Sequence, residues 1–143
     1  MKQRFQSFVT GITICYKYIQ RIKSMEMTEL GLKGTHVMCL FYLSVHPEGL
    51  TAAQLCGLCS EDKAAISRTL ARLQEMGYIR SGEKKYRASL QLTQAGQDVA
   101  GRIGGLIDQW VDLGGSGLTV EERENFYRCL ELIANNLKDN VEK

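Results

Sequence analysis

A mainly α-helical chain with one small β-hairpin is the fold class the sequence predicts, and three observations predict it. Apolar residues recur at three- and four-residue steps through most of the chain. A single proline interrupts 143 residues, which favours long helices. Strand-like alternation is confined to one stretch, where Tyr86, Ala88, Leu90 and Leu92 alternate with Arg87, Ser89 and Gln91.

The elements follow in order. Phe5, Phe8, Val9, Ile12, Cys15, Tyr16, Ile19 and Ile22 form one apolar stripe, predicting a first helix from Lys2 to Met27. Glu29 to Gly34 breaks it, and Thr35 is expected to cap a second helix. Val37, Met38, Leu40, Phe41, Leu43 and Val45 make that helix apolar nearly all round, so it should lie centrally. His46-Pro47-Glu48-Gly49 has the residues of a type I turn. Thr51 with Gln54 is a capping box for a short third helix, Ala52 to Leu58. Ser60 is expected to cap a fourth, with Glu61 and Asp62 in its first turn and Gly77 as its left-handed stop. Its inward face is Ile66, Leu70, Leu73 and Met76.

Tyr78-Ile79-Arg80 predicts a first strand, and the turn SGEKK leads into the alternating second one. Thr93 caps a fifth helix bearing Val99, Ile103, Leu106, Trp110 and Leu113. Gly101, Gly104 and Gly105 lie within it, each weakening it by about 1 kcal/mol relative to alanine. After GGSG, Thr119 and Glu122 form a second capping box, opening a last helix with Phe126, Leu130, Ile133 and Leu137 on one face. Two helices joined by a tight turn and followed by a hairpin are a winged helix-turn-helix, here flanked by N- and C-terminal helices.

Apolar residues are 44% of the chain and charged residues 24%, the balance of a soluble globular domain. No apolar run reaches membrane-spanning length. The basic N-terminal segment lacks a small-residue cleavage site, so it is expected to be a helix of the mature protein. Five cysteines without a regular framework fit a reducing cytoplasm. The net charge of +2 hides an asymmetry: residues 1–97 hold 13 Lys/Arg and 7 Asp/Glu, and residues 98–143 hold 5 and 9. A front half of net +6 suits a polyanion.

The fourth helix carries the chemistry. Ala64 and Ser67 are small and let the backbone approach base edges in a major groove. Lys63, Arg68 and Arg72 flank them as long donors, and arginine suits guanine's paired acceptors. Thr51 and Ser60, at expected helix starts, would offer hydroxyl and amide donors to phosphates. Lys84, Lys85 and Arg87 make the hairpin basic, fit for a minor groove or the flanking backbone. An amphipathic helix with a basic wet face would look the same in isolation. The capped helix before it, the glycine after it and the basic hairpin beyond favour double-stranded DNA as the partner.

With these residues in view, TAAQLCGLCSEDKAAISRTLARLQEMGYI followed by a hairpin and LQLTQAG resembles the DNA-binding core of the MarR (multiple antibiotic resistance regulator) family. LGLKGTHVMCLFYL and LTVEERENFYRCLELIANNL resemble its second and last helices, so the likeness covers nearly the whole chain. It implies a cytoplasmic, nucleoid-associated bacterial or archaeal regulator that is not an enzyme and uses no cofactor. The implied molecule is a homodimeric repressor of a pseudo-palindromic operator. One subunit, 1–143, would then hold a DNA-binding lobe at 35–93 and dimerisation helices at 1–28 and 94–143. Phe5, Phe8, Val9, Ile12, Phe126, Leu130, Ile133 and Leu137 would form the dimer interface. The resemblance further implies release by a small aromatic effector, with Tyr16, Arg21, His36 and Trp110 as pocket residues. One departure stands out: the family's wing has Asp-x-Arg before a small residue, whereas Lys85-Tyr86-Arg87-Ala88 has lysine for the aspartate.

Cysteine leaves an alternative open. Cys56 and Cys59 form a CxxC, and Cys15 lies on the first helix with Tyr18 nearby, so a thiol-based sensor through either is a second reading. A CxxC redox or metal protein is a third. Zinc would need two further ligands, and His36 and His46 are the sole histidines, without recognisable spacing, so no metal is expected. Cys56 and Cys59 fall where burial is expected and suit core packing, as do Cys39 and Cys129.

Overall fold

The computed structural model describes residues 1–82 and 89–142. Six helices and a two-stranded sheet follow one another along these residues. They are α1 (Lys2–Met27), α2 (Gly34–Val45), α3 (Ala52–Cys59), α4 (Lys63–Glu75), β1 (Ile79–Ser81), β2 (Leu90–Leu92), α5 (Gln94–Gly114) and α6 (Val120–Val141). A 3-10 turn, Thr28–Leu30, bridges α1 and α2. The fold class is as the periodicity predicts, winged helix included. No described helix is long and apolar enough to cross a membrane.

The chain divides into two compact units, Met1–Leu106 and Ile107–Lys143. The first is organised around α2, which packs against α1, α3, α4 and β2. Leu40, Leu43, Leu55, Ile66, Leu73 and Ile103 are fully buried there. β1 and β2 pair antiparallel with Ile79 opposite Leu92 and Ser81 opposite Leu90. Leu50 adds an isolated bridge to Leu90, with N–H···O bonds of 3.1 and 2.8 Å in the two directions. Sequence periodicity has no means of finding a one-residue bridge between segments so far apart. In the second unit the Thr119–Glu122 capping box opens α6, and Arg123 donates to Asp112 at 3.0 Å.

Two expected caps are corrected. Thr35 lies inside the first turn of α2, whose N-cap is Lys33. His36 does the capping there: its Nδ1 accepts the Lys33 N–H at 2.8 Å. Ser60 does not open α4 but closes α3, in the left-handed region at φ 51°. Asp62 caps α4 instead, its carboxylate accepting the Ala65 N–H at 2.7 Å. Where Ser, Glu and Asp stand in a row, the residue whose oxygen reaches an N–H three positions on takes the cap. Here the turn after α3 decides which residue that is.

Candidate nucleic-acid interface

The fourth helix is held at both ends. Its start is the Asp62 cap. Its end is a Schellman arrangement, in which Tyr78 N–H bonds the Leu73 carbonyl at 3.0 Å and Gly77 N–H bonds the Gln74 carbonyl at 3.0 Å. Gly77 takes φ 75°, the left-handed value expected of it. Ile66, Thr69, Leu70 and Leu73 are buried beneath the helix. Between these anchors α4 can turn only one face outward.

Lys63, Ala64, Ser67, Arg68, Ala71 and Arg72 are all exposed on that face. Arg72 leans on Glu75 at 3.3 Å, an exposed contact that solvent screens and that leaves the guanidinium available. Apart from that pair, this face of α4 is cationic and lined by small residues. Arg80, exposed on β1 opposite Gln91, adds a cation just past the helix end. Sequence reasoning overlooked it by counting only the hairpin tip. Its place next to Ile79, which must point inward, was the available clue. Lys84, Lys85 and Arg87 lie outside the described residues.

The flanks place the remaining expected donors. Thr51 caps α3: its Oγ1 accepts the Gln54 N–H at 3.2 Å, and its own N–H donates to Gln54 Oε1 at 2.8 Å. The amide is therefore occupied and only the hydroxyl proton is left to donate outward. Ser60 N–H is likewise turned back onto the Cys56 and Gly57 carbonyls, leaving its exposed hydroxyl. Thr93 joins the two ends of the lobe. Its N–H donates to the Tyr78 carbonyl, its hydroxyl donates to the Gly77 carbonyl, and the same oxygen accepts the Gly96 N–H. The C-terminus of α4 and the N-terminus of α5 are thus fixed to each other.

Among the implied pocket residues, Tyr16 and Arg21 are exposed on α1 and His36 is buried at the start of α2. Trp110 is half-buried in the second unit. Burial, and behind it Lys33 and Arg72, hold His36 below its ordinary pKa. A neutral ring suits its work as an acceptor. A shallow cleft of about 460 Å³ lies at the end of α1 and the start of α2, lined by Gln20, Ser24, Thr28, Gly31, Leu32, Lys33 and Gly34. None of the four residues lines it.

The faces implied for dimerisation are wet in the single chain. Phe5, Phe8, Val9 and Ile12 on α1 are exposed, as are Phe126, Ile133 and Leu137 on α6, with Leu130 half-buried. The cysteines divide differently from expectation. Cys39 is fully buried, but Cys129 is exposed on α6 rather than in a core, and Cys56 and Cys59 are only half-buried. The neighbour of Cys59 is Cys39, with sulfurs 4.0 Å apart. Among the described residues no cluster of three His, Cys, Asp or Glu side chains is arranged to hold a metal.

Comparison with known proteins agrees with this architecture. Residues 30–85 match the MarR family. No curated protein matches the chain by sequence. Solved structures do match. A MarR-family transcriptional regulator from Silicibacter pomeroyi is 27% identical at a TM-score of 0.75, over 92% of this chain and 89% of that one. A MarR-family protein from Listeria monocytogenes, complexed with a 26mer DNA, is 21% identical at 0.80, over 92% and 89%. MepR of S. aureus in complex with DNA is 18% identical at 0.78, over 88% and 93%.

Proposed function

We propose, from the match of residues 30–85 to the MarR family, that this chain is a DNA-binding transcription regulator, a homodimeric repressor on a pseudo-palindromic operator. The observation that carries the reading is the outward face of α4. Lys63, Arg68 and Arg72 surround Ala64 and Ser67 on a helix anchored at both ends, so that small residues meet base edges while cations meet guanine and phosphate. Two solved relatives of the same fold are held with DNA, which supports a duplex as partner.

The exposed apolar stripes of α1 and of α6 each support a second copy of the chain as their cover, since a soluble monomer rarely leaves such stripes open to water. A symmetric dimer would present two recognition helices to successive major grooves, with half-site centres about 10 bp apart. The acidic 98–143 segment would keep phosphates away from the pairing helices. Release by a small aromatic effector completes the reading. Such a regulator works on the chromosome, in the cytoplasm, and performs no catalysis.

Selection of duplexes from a random-sequence pool by the reduced protein tests the proposal. The expected result is an enriched inverted repeat, bound by a species that sediments as a dimer. Phenolic acids added to the complex should then release it. Recovery of no preferred sequence would refute the regulator. A monomer that binds a single half-site as tightly as the whole operator would refute the symmetric arrangement.

A further inference from the structure

We propose that Lys23 is an acylation site whose acyl group arrives from a thioester by way of Cys59. The two side chains belong to separate elements and are brought to one joint, where α1, α2 and the end of α3 meet. Lys23 lies near the end of α1 and is half-buried. Its stem runs across Gly34, the first residue of α2: a Cβ there would stand 3.6 Å from the Lys23 Cδ and 3.7 Å from its Cβ. Cys59, the last residue of α3, meets the same helix further along, its sulfur 4.0 Å from that of Cys39. The rise of α2 from Gly34 to Cys39 is about 7.5 Å, a distance that an extended lysine side chain largely spans. The Lys23 ammonium and the Cys59 sulfur act on each other's charge, and Glu61, two residues past Cys59, acts on both.

The pair has the accessibility and the protonation that acyl transfer needs. Cys39 is fully buried and Cys59 half-buried, so Cys59 is the sulfur a dissolved reagent meets. The hydrogen bond with Cys39, helped by Lys23, holds Cys59 below the usual thiol range against burial and Glu61. Burial holds Lys23 below the ordinary lysine range, against the attraction of Cys59 and Glu61. Thiolate is the sulfur form that attacks a carbonyl, and neutral amine is the nitrogen form. An exposed lysine is almost wholly charged near neutral pH and reacts slowly for that reason.

The transfer takes two steps, and nothing is oxidised or reduced. The Cys59 thiolate attacks the carbonyl carbon of the thioester, the new C–S bond forms, and the donor's thiolate leaves. The Lys23 amine then attacks the carbonyl carbon held on Cys59. A C–N bond forms, the C–S bond breaks, and Cys59 leaves as the thiolate it began as. The proton released from the amine ends on the donor's sulfur. One thioester and one lysine become one amide and one free thiol. Sulfur captures the acyl group fast, and proximity then delivers it to a nitrogen that keeps it.

Acylation removes the charge with which α1 faces Glu61, in the turn that leads into α4. One modifiable side chain therefore stands between the first helix and that turn. The covalent chemistry does not depend on the reading of α4 as a recognition helix.

The test uses the full chain, reduced with a phosphine and desalted, and the thioester S-acetyl-N-acetylcysteamine near neutral pH. Peptides are mapped by mass with and without hydroxylamine, which strips acetyl from sulfur and leaves it on nitrogen. Lys23 should be acetylated about tenfold faster than the exposed Lys17 and Lys63. The advantage should vanish in Cys59→Ser and persist in Cys56→Ser and Cys15→Ser, with thermal melts confirming that each variant is folded. In Lys23→Arg the relay should stall, and a hydroxylamine-labile acetyl should accumulate on Cys59. Lys23 acetylated no faster than Lys17 and Lys63 overturns the proposal, and so does a Lys23 rate that survives Cys59→Ser. If Cys59→Ser does not fold, Lys23→Arg decides: no more acetyl on its Cys59 than in the wild type refutes the relay.

Discussion

Gly96 lies against the carbonyl of Tyr78, so closely that a Cβ at position 96 would collide with backbone rather than with a movable side chain. The same carbonyl accepts the Thr93 N–H at 3.0 Å. The first turn of α5 is thereby pressed onto the chain just past α4. Gly96→Ala should cost about 3 kcal/mol, because neither the helix nor the Tyr78 peptide can retreat without losing that bond. Gly101→Ala on the same helix meets open space and should stabilise by about 0.5–1 kcal/mol. Urea denaturation of both variants checks the pair; equal effects would refute the close approach.

The α3–α4 turn offers a test with opposite signs. Ser60 holds a left-handed conformation that favours glycine, so Ser60→Gly should stabilise by about 0.5 kcal/mol after the greater freedom of the unfolded glycine is subtracted. Asp62→Ala should destabilise by about 1 kcal/mol through loss of the α4 cap. Were Ser60 the cap of α4, as the sequence suggests, Ser60→Gly would not stabilise. Thermal melts distinguish the two.

His36 makes stability depend on pH. Its folded-state pKa lies below the ordinary 6.5, chiefly through burial. As pH falls, the unfolded chain binds this proton first, which favours unfolding. The contribution of the neutral ring is present above pH 6.5 and declines as pH drops below it toward the folded value. His36→Asn can accept the Lys33 N–H without titrating, so its urea midpoint should lose less between about pH 7.5 and about pH 5 than that of the wild type. An identical pH dependence in both would remove His36 as the source.

Arg68 and Arg72 should behave differently on DNA. Arg68→Ala should weaken the selected operator by about 1–3 kcal/mol and relax preference at one base pair. Arg72, further along the helix and shared with Glu75, should act mainly on phosphate. Arg72→Ala should therefore weaken all duplexes alike and reduce the salt slope by about one. Fluorescence anisotropy across a salt series separates the two, and an unchanged preference in Arg68→Ala would refute its base contact.

Much of the fold was legible because it is local. The stripe from Phe5 to Ile22 has a helical period over its whole length, and α1 runs from Lys2 to Met27 as expected. Gly77 and the boxes at Thr51 and Thr119 act through neighbours three to five residues away, so their chemistry is visible in the residues themselves. Legibility failed where several local answers compete, or where the partner is distant in sequence. Ser60, Glu61 and Asp62 all suit a helix start, and the closing of α3 settles among them. Leu50 meets Leu90 across the lobe, and Cys39 meets Cys59 across two helices; no spacing rule predicts either. The outward face of α4 is legible because burial of Ile66, Leu70 and Leu73 dictates which residues remain outside.

The sequence by itself determined a helical chain with a hairpin, the order of its elements and the cationic outer face of α4. Each of these depends on periodicity or on contacts within one turn. Only the tertiary structure decided that Asp62 rather than Ser60 caps that helix, that position 96 has room for nothing beyond hydrogen, and that Cys59 answers to Cys39 rather than to Cys56. Those outcomes depend on how far apart segments come to rest, a distance set by packing the whole lobe around α2.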